Sequence, residues 1–300
     1  MNNLYIGPMT QASQLAPYAQ TIVLPSVGSI FYYDSANIAA RETIILVHGL
    51  QDEADTWRHL FQPLMQRYRV LALDLPGFGR SDKAHRNYTP LFFADTLLQF
   101  MDALKIGHAT LVGNSLGGMI AEWVALMHPA RVSRLILLDG TLKIVERPPA
   151  RADNILQQIF PAYFNRKYFE ALRKDPQAAY DTLNLYYANL GGLPQADQEF
   201  LFQRVNERVW DEAQRLAALS VQRNLPRFIL IQLPRWLRAI AHSPVPTQVI
   251  WGADDAILSA RNGQARAVAQ KRPVQLLIIP HTGHLPQQES PTAVSDAILT

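Results

Sequence analysis

Residues 109–118 read Ala109-Thr110-Leu111-Val112-Gly113-Asn114-Ser115-Leu116-Gly117-Gly118, and this stretch decides the fold. Its first four residues make a short apolar run of strand length, and Leu116 to Met127 is an apolar segment of helical character. Between them stands G-x-S-x-G. A serine set between strand and helix must occupy a tight, strained turn. Small residues two before and two after it let the neighbouring backbones pass without a Cβ clash. The turn pushes Ser115 out at the carboxyl edge of a sheet, where open α/β sheets bind ligands. The helix beginning at Leu116 aims unpaired N–H groups and the positive end of its dipole at the same place.

Strand character recurs on both sides of this motif, at Ile44 to Val47, Val70 to Leu73, Leu135 to Leu138, Thr247 to Trp251 and Val274 to Ile279. Helical segments fall between the runs, at Trp57 to Gln66, Leu91 to Leu104 and Ala260 to Gln270. Such alternation predicts an α/β protein with a mostly parallel sheet covered on both faces. Thr21 to Leu24 and Ser29 to Tyr33, bounded by Pro25 and Gly28, add an antiparallel hairpin at one edge, for eight strands in all. The alternation stops after Asp139 and resumes near Val245. The predicted organisation is therefore a core of residues 1–142 and 243–300, interrupted by a helical cap over 143–242. Aromatic residues gather in that insertion, from Phe160 through Trp210 to Trp236, as in a segment packed over an apolar cavity. Arg147 to Arg151, with Pro148 and Pro149, is the predicted hinge.

Composition narrows the chemistry. Hydrophobic residues make up 48% of the 300, enough for a large core. The formal charge is only +3 and the arginines are scattered, so no nucleic-acid partner is expected. With no cysteine, disulfides, zinc–thiolate sites and thiol nucleophiles are excluded, which fits a reducing cytoplasm. Met1 to Gln20 does not read as a secretory signal, and no stretch is apolar for long enough to cross a bilayer. A cytoplasmic protein without an integral membrane segment is expected; its oligomeric state is not readable.

Serine is a poor nucleophile at neutral pH without a base in hydrogen-bond reach, and the base needs a third group to fix its tautomer. Both must come from other strand ends. His284 lies in the loop Pro280-His281-Thr282-Gly283-His284 after the last strand, with His281 as its competitor. The two histidines form H-x-x-H, but with no thiolate and no acidic ligand in a helical frame, no metal site is expected. For the acid, Asp254 and Asp255 follow the strand that ends in Trp251-Gly252, and Asp139 follows Leu135 to Leu138. One of the adjacent pair is expected to face the histidine while the other caps its turn. His48-Gly49-Leu50 ends an earlier strand. The backbone N–H groups of Leu50 and Leu116 are the expected oxyanion donors, with His48 in a structural role.

On these residues the chain resembles the capped α/β-hydrolases of the esterase, lipase and C–C hydrolase group. The matching stretches are Leu46 to Gly49 with Trp57, Asp74 to Ser81, Gly113 to Gly118, Trp251-Gly252 through Asp255, and Gly283-His284 followed by Glu289 and Pro291. The resemblance implies a triad of Ser115, His284 and Asp255, because the family sets its acid three residues after that glycine. Members with aspartate at the nucleophile position act on haloalkanes and epoxides, whereas this chain has serine. C–C hydrolases of the group carry tryptophan after the histidine, and proline-specific aminopeptidases after the nucleophile. Here Leu285 and Leu116 stand in those places.

The expected activity is hydrolysis of a small to medium apolar ester through an acyl-enzyme, with no cofactor. Met119, Trp210 and Trp236 are the expected pocket residues. The alternatives are a C–C hydrolase of a vinylogous diketo acid, with Arg166 or Arg223 as carboxylate clamp, and a non-catalytic binding protein of the same fold. Arg227 to Ile240 also reads as a candidate interfacial lid interrupted at Pro234, against a buried helix of the cap.

Overall fold

In the computed structural model, which describes residues 13–37, 40, 42–141 and 166–300, eight strands form one sheet. They are β1 (Ala19–Leu24), β2 (Gly28–Asp34), β3 (Glu42–Val47), β4 (Tyr68–Leu73), β5 (Ala109–Asn114), β6 (Val132–Leu138), β7 (Thr247–Gly252) and β8 (Gln275–Ile279). Their spatial order is β1-β2-β4-β3-β5-β6-β7-β8. The β1–β2 hairpin pairs antiparallel at one edge, β2 is antiparallel to β4, and β3 through β8 are parallel to one another. All carboxyl ends of the parallel strands thus meet at one rim.

Helices among the described residues are α1 (Arg58–Met65), α2 (Pro90–Ala103), α3 (Leu116–Met127), α4 (Arg166–Leu172), α5 (Pro176–Asp181), α6 (Gln195–Arg208), α7 (Glu212–His242), α8 (Ala260–Ala269), α9 (Pro286–Glu289) and α10 (Pro291–Leu299). Strand β3 shows why the layers form. Ile44 and Leu46 point to one face and pack with Phe61 and Leu64 of α1 and Ile298 of α10. Ile45 and Val47 point to the other and pack with Phe93 and Leu97 of α2 and Ile120 of α3. Both faces are dry, so the strand reads as continuously apolar. Each such side chain contributes roughly 1.5–3 kcal/mol on leaving water, which holds the rim beneath Ser115 in register.

Helices α4 to α7 lie in the chain between β6 and β7. The expected hinge at Arg147 to Arg151 and the side chain of Arg166 lie outside the described residues. Pro234 does not interrupt its segment: α7 runs unbroken through both Pro226 and Pro234. Each interior proline costs a hydrogen bond and about 3 kcal/mol. Burial of Phe228, Trp236 and Ile240 on either side of Pro234 offsets that cost. No helix among the described residues is long and apolar enough to cross a membrane.

Candidate active site

Ser115 stands between β5 and α3 at φ 53° and ψ −117°. A non-glycine residue held there stores roughly 1–3 kcal/mol, so the surroundings must enforce it. They do so through the backbone: Ser115 N–H donates to Leu138 O at 2.9 Å, and Ser115 O accepts from Met119 N–H at 3.1 Å. The two glycines of the motif are required by close approach. A Cβ on Gly113 would stand 2.2 Å from Gly117 O, and one on Gly117 would stand 2.1 Å from Val47 O.

His284 and Asp255 meet at the same rim. His284 Nδ1 is 2.8 Å from Asp255 Oδ2, and both residues are buried. The other oxygen of Asp255 accepts from Ile257 N–H at 2.7 Å and Leu258 N–H at 2.9 Å. Asp255 therefore caps its own turn as well as facing the histidine, so the division of labour expected between the two aspartates does not occur. Asp254 has a half-exposed side chain, 4.0 Å from the almost fully exposed His281. With Nδ1–H directed to Asp255, the Nε2 lone pair of His284 is left to accept a proton.

Several residues that hold this arrangement have no role assigned to them from the sequence, although Glu289 and Asn114 fall within the stretches that match the family. Asn114 Nδ2 donates to His284 O at 3.0 Å, and His284 N–H donates to Tyr186 O at 2.8 Å. Glu289 accepts from Gly283 N–H at 2.6 Å, Ala188 N–H at 2.8 Å and Asn189 N–H at 3.2 Å. The segment after α5 is thereby tied to the histidine loop. A signal for Asn114 exists in the sequence, since a polar residue closes an otherwise apolar strand. Tyr186 acts through its backbone carbonyl, and no residue-type pattern marks that.

His48 is a buried structural residue: Nδ1 lies 2.7 Å from Gly49 O, and Nε2 accepts from Leu75 N–H at 2.8 Å. Burial pushes its pKa down, which keeps it neutral. The turn it shapes runs beside the serine, since a Cβ on Gly49 would stand 3.2 Å from that of Ser115. Leu50 follows in this turn. Leu116 is the first residue of α3, so its N–H has no acceptor inside the helix.

The three expected pocket residues divide. Met119 is buried one turn beyond Ser115, and Trp236 is fully buried. The Trp236 ring centroid lies 5.7 Å from that of Trp123 and 4.9 Å from that of Phe228, so it docks α7 on α3. Trp210 is a surface residue instead: it is 59% exposed and carries the Arg173 guanidinium 5.2 Å from its ring. It sits in the short junction between α6 and α7, next to the buried Val209. The stripe from Arg227 to Ile240 also splits, with Phe228, Trp236 and Ile240 buried and Leu230, Ile231 and Leu237 exposed.

A model of the family described as alpha/beta hydrolase fold matches residues 42–291. The chain belongs to this family. It is similar to epoxide hydrolase 4 of Mus musculus, 27% identical over 90% of this chain and 76% of that one. Among solved structures it resembles 2-hydroxy-6-oxo-6-phenylhexa-2,4-dienoate hydrolase from Rhodococcus sp. strain RHA1. That match has a TM-score of 0.76 at 16% identity and covers 94% of this chain and 96% of the other. A putative lipase from Acinetobacter baumannii AYE matches with a TM-score of 0.72 at 20% identity, over 94% and 89% of the two chains. At these identities the structures share the fold, and the α/β-hydrolase assignment makes the protein a hydrolase.

In this α/β-hydrolase the loop after Leu50 is clamped to α6 by charge. Glu53 pairs with Arg204 at 2.7 Å and Arg208 at 2.8 Å, and Asp55 pairs with Arg204 at 3.0 Å and Arg80 at 2.8 Å. Arg58 reaches Asp197 at 2.7 Å. Burial alone would push the Glu53 pKa up, but Arg208, Arg204 and Arg80 outweigh it and hold it at about 2. A carboxyl depressed in the folded state contributes stability that is present above its unfolded value and lost as pH falls through the folded one. Thermal melts are therefore expected to lose stability as pH falls from about 4.5 towards 2. Glu53→Gln is expected to lower neutral-pH stability by about 3 kcal/mol and to flatten this acid dependence. An unchanged acid slope in the variant would show that Glu53 is not its source.

At the opposite rim, a cleft of about 570 Å³ is lined by Arg67, Arg69, Lys105, His108 and Arg134. It opens at the amino ends of the strands, away from Ser115, and contains none of the groups described above.

Proposed function

We propose that this hydrolase is a serine carboxylesterase acting on small to medium apolar esters through an acyl-enzyme. The observation that carries the reading is the buried His284–Asp255 hydrogen bond of 2.8 Å at the rim where Ser115 is held in its strained turn. Ser115 Oγ gives its proton to His284 Nε2 and attacks the ester carbonyl. The N–H groups of Leu50 and Leu116 hold the oxyanion. His284 then protonates the leaving alcohol, and afterwards takes a proton from the water that releases the acid. Asp255 keeps the imidazole in the required tautomer and stabilises its charged form.

The described part of the insertion, residues 166–242, acts as a cap over the acyl site, with Met119, one turn beyond Ser115, shaping an apolar wall. The likeness to an epoxide hydrolase does not carry an epoxide reading, because opening the ring through an alkyl-enzyme ester needs a carboxylate at position 115. Cleavage of a vinylogous diketo acid is less well supported. Its carboxylate clamp would have to come from the cap, and Arg223 is exposed there.

Stopped-flow release of p-nitrophenol from short and medium-chain esters tests the proposal. A burst proportional to enzyme, and stoichiometric labelling of Ser115 by an organophosphate, are expected. Failure of both would remove the acyl-enzyme.

A further inference from the structure

The mechanism above leaves unused a buried carboxyl group that lies beside His284 and Asp255. Asp139 directly follows β6 at φ 46° and is completely buried. Its Oδ1 accepts from Gly252 N–H at 2.9 Å, while its Oδ2 meets no N–H or O–H donor among the described residues. One carboxyl oxygen of Asp139, one of Asp255 and a ring nitrogen of His284 lie within 4.8 Å of one another. Two like charges that close in a dry site cannot both ionise. Asp255 has three donors, from Ile257, Leu258 and His284, whereas Asp139 has one.

We infer that Asp139 is a neutral carboxylic acid whose Oδ2–H donates to the Asp255 carboxylate, making an acid–carboxylate pair behind His284. The proton supplies the donor that the orphaned oxygen otherwise lacks, and the carboxylate with more hydrogen-bond donors keeps the charge. The charged and titratable groups facing Asp139 agree with this assignment. Burial pushes its pKa well above the usual carboxylate range, Asp255 and Glu289 push it further, and the Gly252 N–H opposes them; His284, the remaining titratable group in the cluster, is directed to Asp255. These three atoms are also the one grouping among the described residues with metal-like spacing. Asp255 and His284 already bond each other, and a proton completes the set without further ligands.

The inference rests on the esterase reading and assigns Asp139 a positioning role within it. A neutral Asp139 holds Asp255 by a hydrogen bond and leaves a single negative charge behind the imidazole. An ionised Asp139 would place two negative charges there, favouring the imidazolium over the free base that Ser115 needs.

Infrared spectra of the resting enzyme at pH 7 test this directly. The carbonyl stretch of a neutral carboxylic acid is expected in the wild type and is expected to disappear in Asp139→Asn. In steady-state assays Asp139→Ala is expected to lower kcat about tenfold with KM little changed, as loss of a hydrogen bond to a charged group requires. Asp139→Asn, which keeps a neutral donor, is expected to rescue the rate to within about threefold. Its acid limb of kcat/KM against pH is expected to coincide with that of the wild type. Absence of the acid band, or a limb moved down by about one pH unit in Asp139→Asn, would mean that Asp139 is ionised and would overturn the inference. If Asp139→Ala does not fold, the asparagine variant and the band still decide. Failure of the esterase reading would show in Ser115→Ala, whereas the band is measured without substrate.

Discussion

Replacing Ser115 with alanine is expected to lower kcat for ester hydrolysis by about a millionfold, because the acyl-enzyme can no longer form. What remains is binding and the two backbone donors, which by themselves give a small acceleration over water. The fold is expected to survive. The bonds that shape the turn run from Ser115 N–H to Leu138 O and from Met119 N–H to Ser115 O, and alanine keeps both. Alanine also keeps the Cβ, so the strain of φ 53° is unchanged and the melting temperature is expected to move little. Circular dichroism melts beside burst kinetics check the pair of outcomes. Turnover persisting in a folded variant at more than about a hundredth of the wild-type rate would rule Ser115 out as nucleophile.

Asp255→Asn is expected to reduce kcat by about ten-thousandfold with only a modest change in KM. The asparagine oxygen can still accept from Ile257 and Leu258 N–H, so the turn remains capped. Its amide nitrogen then faces His284 Nδ1, where a donor meets a donor. The imidazole responds by moving its proton to Nε2, the atom that should take the proton from Ser115, and the base is lost. Rates measured at high pH distinguish this from misfolding: hydroxide-dependent turnover is expected to persist in a folded protein with the wrong tautomer. A loss smaller than about tenfold would show that Asp255 does not orient the base.

Local chemistry made much of this legible. Strand runs, the glycine pair around Ser115 and the loop bearing His284 are each written by residues a few positions apart. Apolar continuity, close backbone approach and turn propensity therefore mark them without knowledge of the rest of the chain. Pro234 was legible only as an interruption, because the burial of Phe228 and Trp236 that carries α7 through it is a property of packing. Likewise Trp210 and Trp236 look alike in the chain, yet one lies on the surface and the other in the core.

By itself, then, the sequence determined the α/β alternation, the site of the strained turn and the histidine loop at the sheet's rim. Only the tertiary structure decided that Asp139 lies against Asp255 and His284 and how α6 is clamped to the loop after Leu50. The reason is physical. Those relations join residues more than a hundred positions apart, such as Arg204 with Glu53 and Asp139 with Gly252. Adjacent aspartates differ only in the direction their side chains take once the strands have stacked, and burial then sets which carboxyl can hold a charge.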